Sequence, residues 1–164
     1  RKYLVNSVRI LSGNDSQLIT DNSSDNEHAT TEESDAIADI EEKLDIKMPE
    51  FYYRPYGMEY MTYEISEPAS AAKINYQYDD NIVTFYIDKQ NQSTASNINS
   101  SNGEEKIIDT IEKEGYKVTL KKLQEQNEKN LTYVAQWEYN GCAYSWSGKF
   151  RIEELKKIIK EMKF

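Results

Sequence analysis

The run from Tyr133 to Trp146, "YVAQWEYNGCAYSW", constrains the fold more than any other part of the chain. Two alternating segments flank Asn140-Gly141, a dipeptide suited to the positive φ angles of a two-residue type I′ turn. That turn sets a register in which Tyr139 faces Cys142, Trp137 faces Tyr144 and Ala135 faces Trp146. The opposite side then pairs Glu138 with Ala143 and Gln136 with Ser145. One side is aromatic and the other mostly polar, so the pattern predicts a hairpin in a sheet with one solvated face.

A second hairpin reads the same way. With Asp80-Asn81 as the turn, Tyr78 faces Val83, Tyr76 faces Phe85 and Ile74 faces Ile87, while Gln77 meets Thr84 and Lys73 meets Asp88. Upstream, "RPYGM" predicts a turn into an alternating strand carrying Met58, Tyr60, Thr62 and Ile65. Ile107, Ile108 and Ile111 fit either a helix ending before Gly115 or a strand turning there, and Val118 and Leu120 begin another strand. Between Thr31 and Ile46, the residues Ala36, Ile37, Ile40 and Leu44 form one apolar helical stripe, which Pro49 is expected to close. Ile152, Leu155, Ile158, Ile159 and Met162 form the inner stripe of a C-terminal helix, with Glu153 and Lys157 paired outside. Strands followed by covering helices predict an α+β fold, a single antiparallel sheet of about six strands with one or two helices on one face.

With 164 residues the chain is long enough for one domain with a real core. Its formal charge of −9 is local: residues 13–50 hold twelve acids against Lys43 and Lys47, which leaves the rest nearly neutral. No basic stripe with interleaved aromatics offers electrostatic support for nucleic acid. No apolar run approaches the ~20 residues that span a bilayer. The expected division is therefore an N-terminal element and acidic Ser/Asn-rich spacer over residues 1–34, then a domain over 35–164. Tyr3–Leu11, "YLVNSVRIL", is apolar enough for a strand or a short helix. Residues 91–103, "NQSTASNINSSNG", read as a long mobile loop. The chain begins at Arg1, which fits a processed or truncated product whose targeting segment lies elsewhere.

The candidate sites resolve mostly toward structure. Cys142 is the only cysteine, falls on the apolar face and has no base beside it, so it reads as packed filler. His28 sits in the spacer without the rigid support a ligand or base needs. Asp21, Ser23, Asp25, Glu27 and Glu32 occupy calcium-loop spacing, but position 6 is Asn26 where a glycine is required. Tyr133, Trp137, Tyr139, Tyr144 and Trp146 could stack on a sugar, yet a covering helix makes them core. Glu32-Glu33 and Glu41-Glu42 diverge on a helix and lack the convergence of acid–base catalysis. Five Asn-x-Ser/Thr sequons follow from composition alone. Tyr52, Tyr53, Tyr56 and Tyr60 flank a loop and are the best candidates for an exposed contact patch.

Two segments carry a family likeness: "IEEKLDIKMPEFYYRPYGM" and "WEYNGCAYSWSGKFRIEELKKIIKEM". The first is a helix, a Pro-terminated bend and a Pro-x-Gly-Met entry into a strand. The second is a Trp strand, an Asn-Gly turn, a Tyr strand ending in glycine and a Glu-Leu helix. Together they resemble the domain of unknown function (DUF) 4367 family of Gram-positive bacteria, over roughly Ile40 to Met162. Arg151 stands near where that family usually offers a Ser or Thr helix cap. The resemblance favours strand over helix at Ile107–Ile111. It also implies an extracytoplasmic domain of a protein anchored by one transmembrane helix, some members carrying segments that resemble anti-sigma factors. The functional expectation is a non-enzymatic sensory or interaction domain with an unidentified protein or envelope partner. Neither cofactor nor metal is expected, and membrane contact would come only through a segment outside this chain. The alternative expectation is a small binding protein for a cell-wall glycan or lipid held between sheet and helix.

Overall fold

A computed structural model describes residues 32–89, 103–125 and 131–164. The N-terminal element, most of the spacer with His28 and the calcium-loop positions before Glu32, and residues 91–102 lie outside them.

The described chain runs α1 (Glu33–Leu44), β1 (Glu50–Phe51), β2 (Glu59–Ser66), β3 (Ala71–Tyr78) and β4 (Asn81–Asp88). It continues through β5 (Gly103–Lys113), β6 (Tyr116–Glu125), β7 (Thr132–Tyr139), β8 (Cys142–Gly148), α2 (Ile152–Glu161) and β9 (Met162–Lys163). Seven strands form one antiparallel sheet in the order β2-β3-β4-β8-β7-β6-β5, and β1 pairs with β9 in a small second sheet. The α+β class and the antiparallel hairpins therefore hold, with seven strands in the main sheet and a second sheet besides. Segments of two residues carry no periodicity, so β1 and β9 left no trace in the sequence pattern.

Both helices press on one face. Ile40 and Leu44 of α1 and Leu155, Ile158 and Ile159 of α2 join Ile74, Tyr76, Phe85, Trp137, Tyr144 and Trp146 in a single core. Phe85 lies at its centre, with ring centroids 5.0 Å from Trp146 and 5.2 Å from Phe51. The β7–β8 register is the expected one, from Tyr139 with Cys142 to Ala135 with Trp146. Asn140 and Gly141 take φ of 55° and 78°, as a type I′ turn demands. Residues 103–113 are strand, pairing Ile111 with Val118.

Four expectations are corrected. The β3–β4 turn is Asp79-Asp80: Tyr78 pairs with Asn81, Tyr76 with Val83 and Ile74 with Phe85. Asp79 takes the left-handed conformation at φ 53°, one residue earlier than expected. Moving the turn by one residue shifts every pair by two, which preserves the faces. α1 ends at Leu44 because Asp45 adopts a left-handed cap at φ 52°, four residues before Pro49. Met162, expected on the inner stripe of the C-terminal helix, lies just past its end in extended backbone and pairs with Phe51 as part of β9. Finally, the polar face is not solvated, since Lys73, Asn75, Thr84, Gln136, Ser145 and Ser147 are all buried.

Candidate functional site

The segment joining β1 to β2 holds three of the four tyrosines, and its course is fixed at both ends. On one side Phe51 pairs with Met162 and Glu50 with Lys163. On the other the Met58 N–H donates to the Pro55 carbonyl at 3.1 Å. Gly57 at φ 82° supplies the conformation this Pro-Tyr-Gly-Met turn requires at its third position. Buried Pro55 and Met58 anchor the bend.

Within this frame the tyrosines diverge. Tyr56 is 96% exposed and Tyr52 65%. Tyr53 and Tyr60 are half-buried and turned back onto the domain. The Tyr52 hydroxyl donates to Glu50, a bond that raises the phenol's pKa with help from the carboxylate's charge. Lys163 stands 5.8 Å from the Tyr52 ring centroid. The Tyr53 hydroxyl donates to Glu154 of α2, so Tyr53 ties the loop to that helix. Tyr60 meets Tyr76 edge to face at 6.3 Å. Burial, then the charges of Glu33 and Asp35, push the Tyr60 phenol up to about 12.

Arg54, between the two exposed tyrosines, had no signal in the sequence beyond its position in an aromatic loop. Its guanidinium donates to both Glu33 oxygens at 2.6 and 2.7 Å and lies 5.3 Å from the Tyr76 ring centroid. The Tyr76 hydroxyl donates to the same carboxylate at 2.6 Å. Burial opposes the Arg54 charge, but the Glu33 hydrogen bond and charge outweigh it and raise its pKa. The loop thus presents two rings and an oriented cation on a backbone that the small sheet, α1 and α2 hold in place.

Cys142 borders a cavity of about 140 Å³ together with Asp45, Lys47, Lys89, Asn140 and Tyr144. The polar groups there serve the backbone: the Lys89 ammonium donates to the Leu44 carbonyl at 2.8 Å, capping α1, and the Tyr144 hydroxyl donates to the Lys47 carbonyl at 2.7 Å. Burial pushes the Cys142 thiol up to about 11, the opposite of an activated nucleophile. Tyr133, Trp137, Tyr139, Tyr144 and Trp146 all pack in or against the core. Glu33 serves Arg54 and Tyr76, while the Glu41 carboxylate accepts the Met48 N–H at 2.9 Å. Among the described residues no group of three or more His, Cys, Asp or Glu could hold a metal ion.

A family model described as "Domain of unknown function (DUF4367)" matches residues 48–162, from just before β1 into β9. No curated protein and no solved structure matches the chain.

Proposed function

The chain belongs to the DUF4367 family, whose function is unknown, and from that premise we propose that it is a non-enzymatic interaction or sensory domain. Its place would be the extracytoplasmic side of a membrane-anchored Gram-positive bacterial protein. The observation that carries this reading is the presentation of Tyr52 and Tyr56 to solvent on a loop held at both ends. A large ring exposed on a fixed backbone loses little conformational freedom on binding, which is why Tyr and Arg recur at the centres of protein interfaces. Arg54, in the same loop, is a cation held in one orientation by Glu33. The chemistry-bearing side chains described above are engaged in holding the fold, which supports binding over catalysis.

The alternative, a glycan or lipid held between sheet and helices, needs room at that interface. The cavity lined there by Phe51, Tyr76, Trp146 and Ile158 measures about 10 Å³, space for roughly one water. The larger cavity of about 140 Å³ at the end of α1 is edged by the Lys89 ammonium and the Tyr144 hydroxyl, both already donating to backbone carbonyls. The two cavities together weigh against the alternative.

A photo-crosslinking residue placed at Tyr56 of the full-length protein in its own cells tests the reading. The expected outcome is a discrete protein adduct, weakened by Tyr52→Ala and missing when the same residue is placed at exposed Glu112. Equal labelling at both positions refutes the contact patch. Protease added outside wall-stripped cells should cleave the domain, and cleavage only after lysis refutes the location.

A further inference from the structure

The seven-stranded sheet ends at β5, which has β6 on one side and no strand on the other among the described residues. Lys106 to Thr110 and Glu112 are exposed, Ile107 at 62% and Ile108 at 37%, so this outer edge stands open to solvent. Open edges recruit other strands unless something blunts them. A bulge between Ile107 and Asp109 does so in the first half of β5. From Asp109 to Lys113 the pairing with β6 is regular.

The backbone of that second half fixes what it can pair with. Glu114-Gly115 is a two-residue turn, so the flanking Lys113 and Tyr116 form a hydrogen-bonded pair. Bonding alternates along an antiparallel ladder. Ile111 and Asp109 therefore also bond toward β6, and the N–H and C=O of Thr110 and Glu112 point outward. The Thr110 N–H accordingly donates to its neighbour's Asp109 Oδ1, at 2.8 Å.

We propose that this edge joins a second copy of the chain, antiparallel about a two-fold axis at Ile111, into one continuous sheet. In that register Thr110 of one copy and Glu112 of the other exchange backbone hydrogen bonds, twice over by symmetry. Asp109 meets Lys113 at both ends and Ile111 meets Ile111 at the centre. These are the non-hydrogen-bonded pairs, whose side chains approach closest. Centring the axis on Thr110 sets Asp109 against Ile111, and centring it on Glu112 brings two Glu112 carboxylates together, so charge selects Ile111. Docking passes the Thr110 N–H to the Glu112 carbonyl and turns the Asp109 carboxylate toward Lys113. The Lys113 ammonium, bonded to the Lys160 carbonyl at 2.8 Å, keeps two donors for it. The contact is short, so association is weak and reversible.

Sedimentation equilibrium of the full chain is the test. Its mass should rise from one chain toward two between about 10 μM and about 1 mM. Thr110→Pro removes the outward donor without touching the β6 ladder, and should hold the mass at one chain with the far-UV circular dichroism unchanged. Lys113→Asp should weaken association at least about tenfold, and adding Asp109→Lys should restore it to within about threefold of wild type. A single-chain mass throughout the range overturns the proposal. So does a dimer that survives Thr110→Pro, or growth beyond two copies, which a closed two-fold contact does not allow. If Thr110→Pro unfolds the protein, the charge exchange decides: no loss in Lys113→Asp, or no recovery in the double variant, overturns the pairing. A photo-crosslinking residue at Glu112 should trap only the chain's own doubled mass, distinct from the adduct at Tyr56.

Discussion

Replacing Gly148 with alanine tests the contact between β4 and β8, the seam that joins the two halves of the sheet. Gly148 has φ 156°, and a Cβ there would stand 2.5 Å from Val83 Cγ1 and 2.9 Å from both Val83 Cα and Cβ. Carbon pairs are at their optimum near ~3.5–4.0 Å, so the first contact is deeply repulsive. Rotating the Val83 side chain relieves only Cγ1. The other two contacts persist, and one is backbone. β4 cannot retreat freely, because β3 holds its far side and Phe85 is wedged among Phe51, Trp137, Tyr144 and Trp146. Overpacking costs about 1–3 kcal/mol, and a side chain at this φ adds about 1 kcal/mol of backbone strain. The expected total is about 2–4 kcal/mol. With a urea dependence near ~2 kcal/mol/M for a small domain, the unfolding midpoint should fall by about 1–2 M. Val83→Ala removes Cγ1, so the double variant should be less destabilised than the two singles combined, by about 1 kcal/mol. A Gly148→Ala protein within about 0.5 kcal/mol of wild type, or strict additivity in the double variant, refutes the reasoning.

Other outcomes follow from the same structure. Tyr76→Phe, which deletes a buried donor to Glu33, should cost about 1–2 kcal/mol in urea unfolding; Tyr56→Ala should stay within about 0.5 kcal/mol of wild type, and a larger loss would contradict its exposure. Because burial disfavours the Cys142 thiolate, a thiol reagent near neutral pH should label the native protein slowly and the unfolded protein fast, and rapid native labelling would remove the packed reading. The raised values of Cys142, from 9.0 to about 11, and Tyr60, from 10.0 to about 12, mean the fold prefers both groups neutral. Their contribution is complete below the ordinary values and is lost as pH rises through the raised ones, so the thermal midpoint should decline between pH 9 and 12. A flat profile there would refute it. Millimolar calcium should give no binding heat in calorimetry, since Asn26 stands where the calcium loop needs glycine; a saturable heat would reopen that site.

The two hairpins differ in how much a sequence can settle. At Asn140-Gly141 both residues tolerate positive φ and their neighbours do not, so the turn and the whole β7–β8 register follow from local chemistry. At Asp79-Asp80-Asn81 three consecutive residues suit a turn, and the apolar alternation is the same for either placement. The faces were legible there and the pairing was not. In the candidate patch, four tyrosines around a loop look equivalent as letters. Tyr53 is distinguished by Glu154, 101 residues away, and Tyr60 by Tyr76 across the β2–β3 pair, so only Tyr52 and Tyr56 remain exposed.

By itself the sequence determined the α+β class, the strand faces of the two hairpins, the β7–β8 register and the apolar stripes of both helices apart from Met162. Each of these rests on turn chemistry or side-chain period within a dozen residues, where few alternatives compete. The β2 alternation fails at Thr62, which a bulge after Tyr60 turns to the other face. Tertiary structure decided that β8 lies beside β4, that Phe51 pairs with Met162, and that the polar side of the sheet is buried. Those outcomes depend on contacts between segments far apart in the chain. Their free energy belongs to the whole arrangement, and no local pattern encodes it.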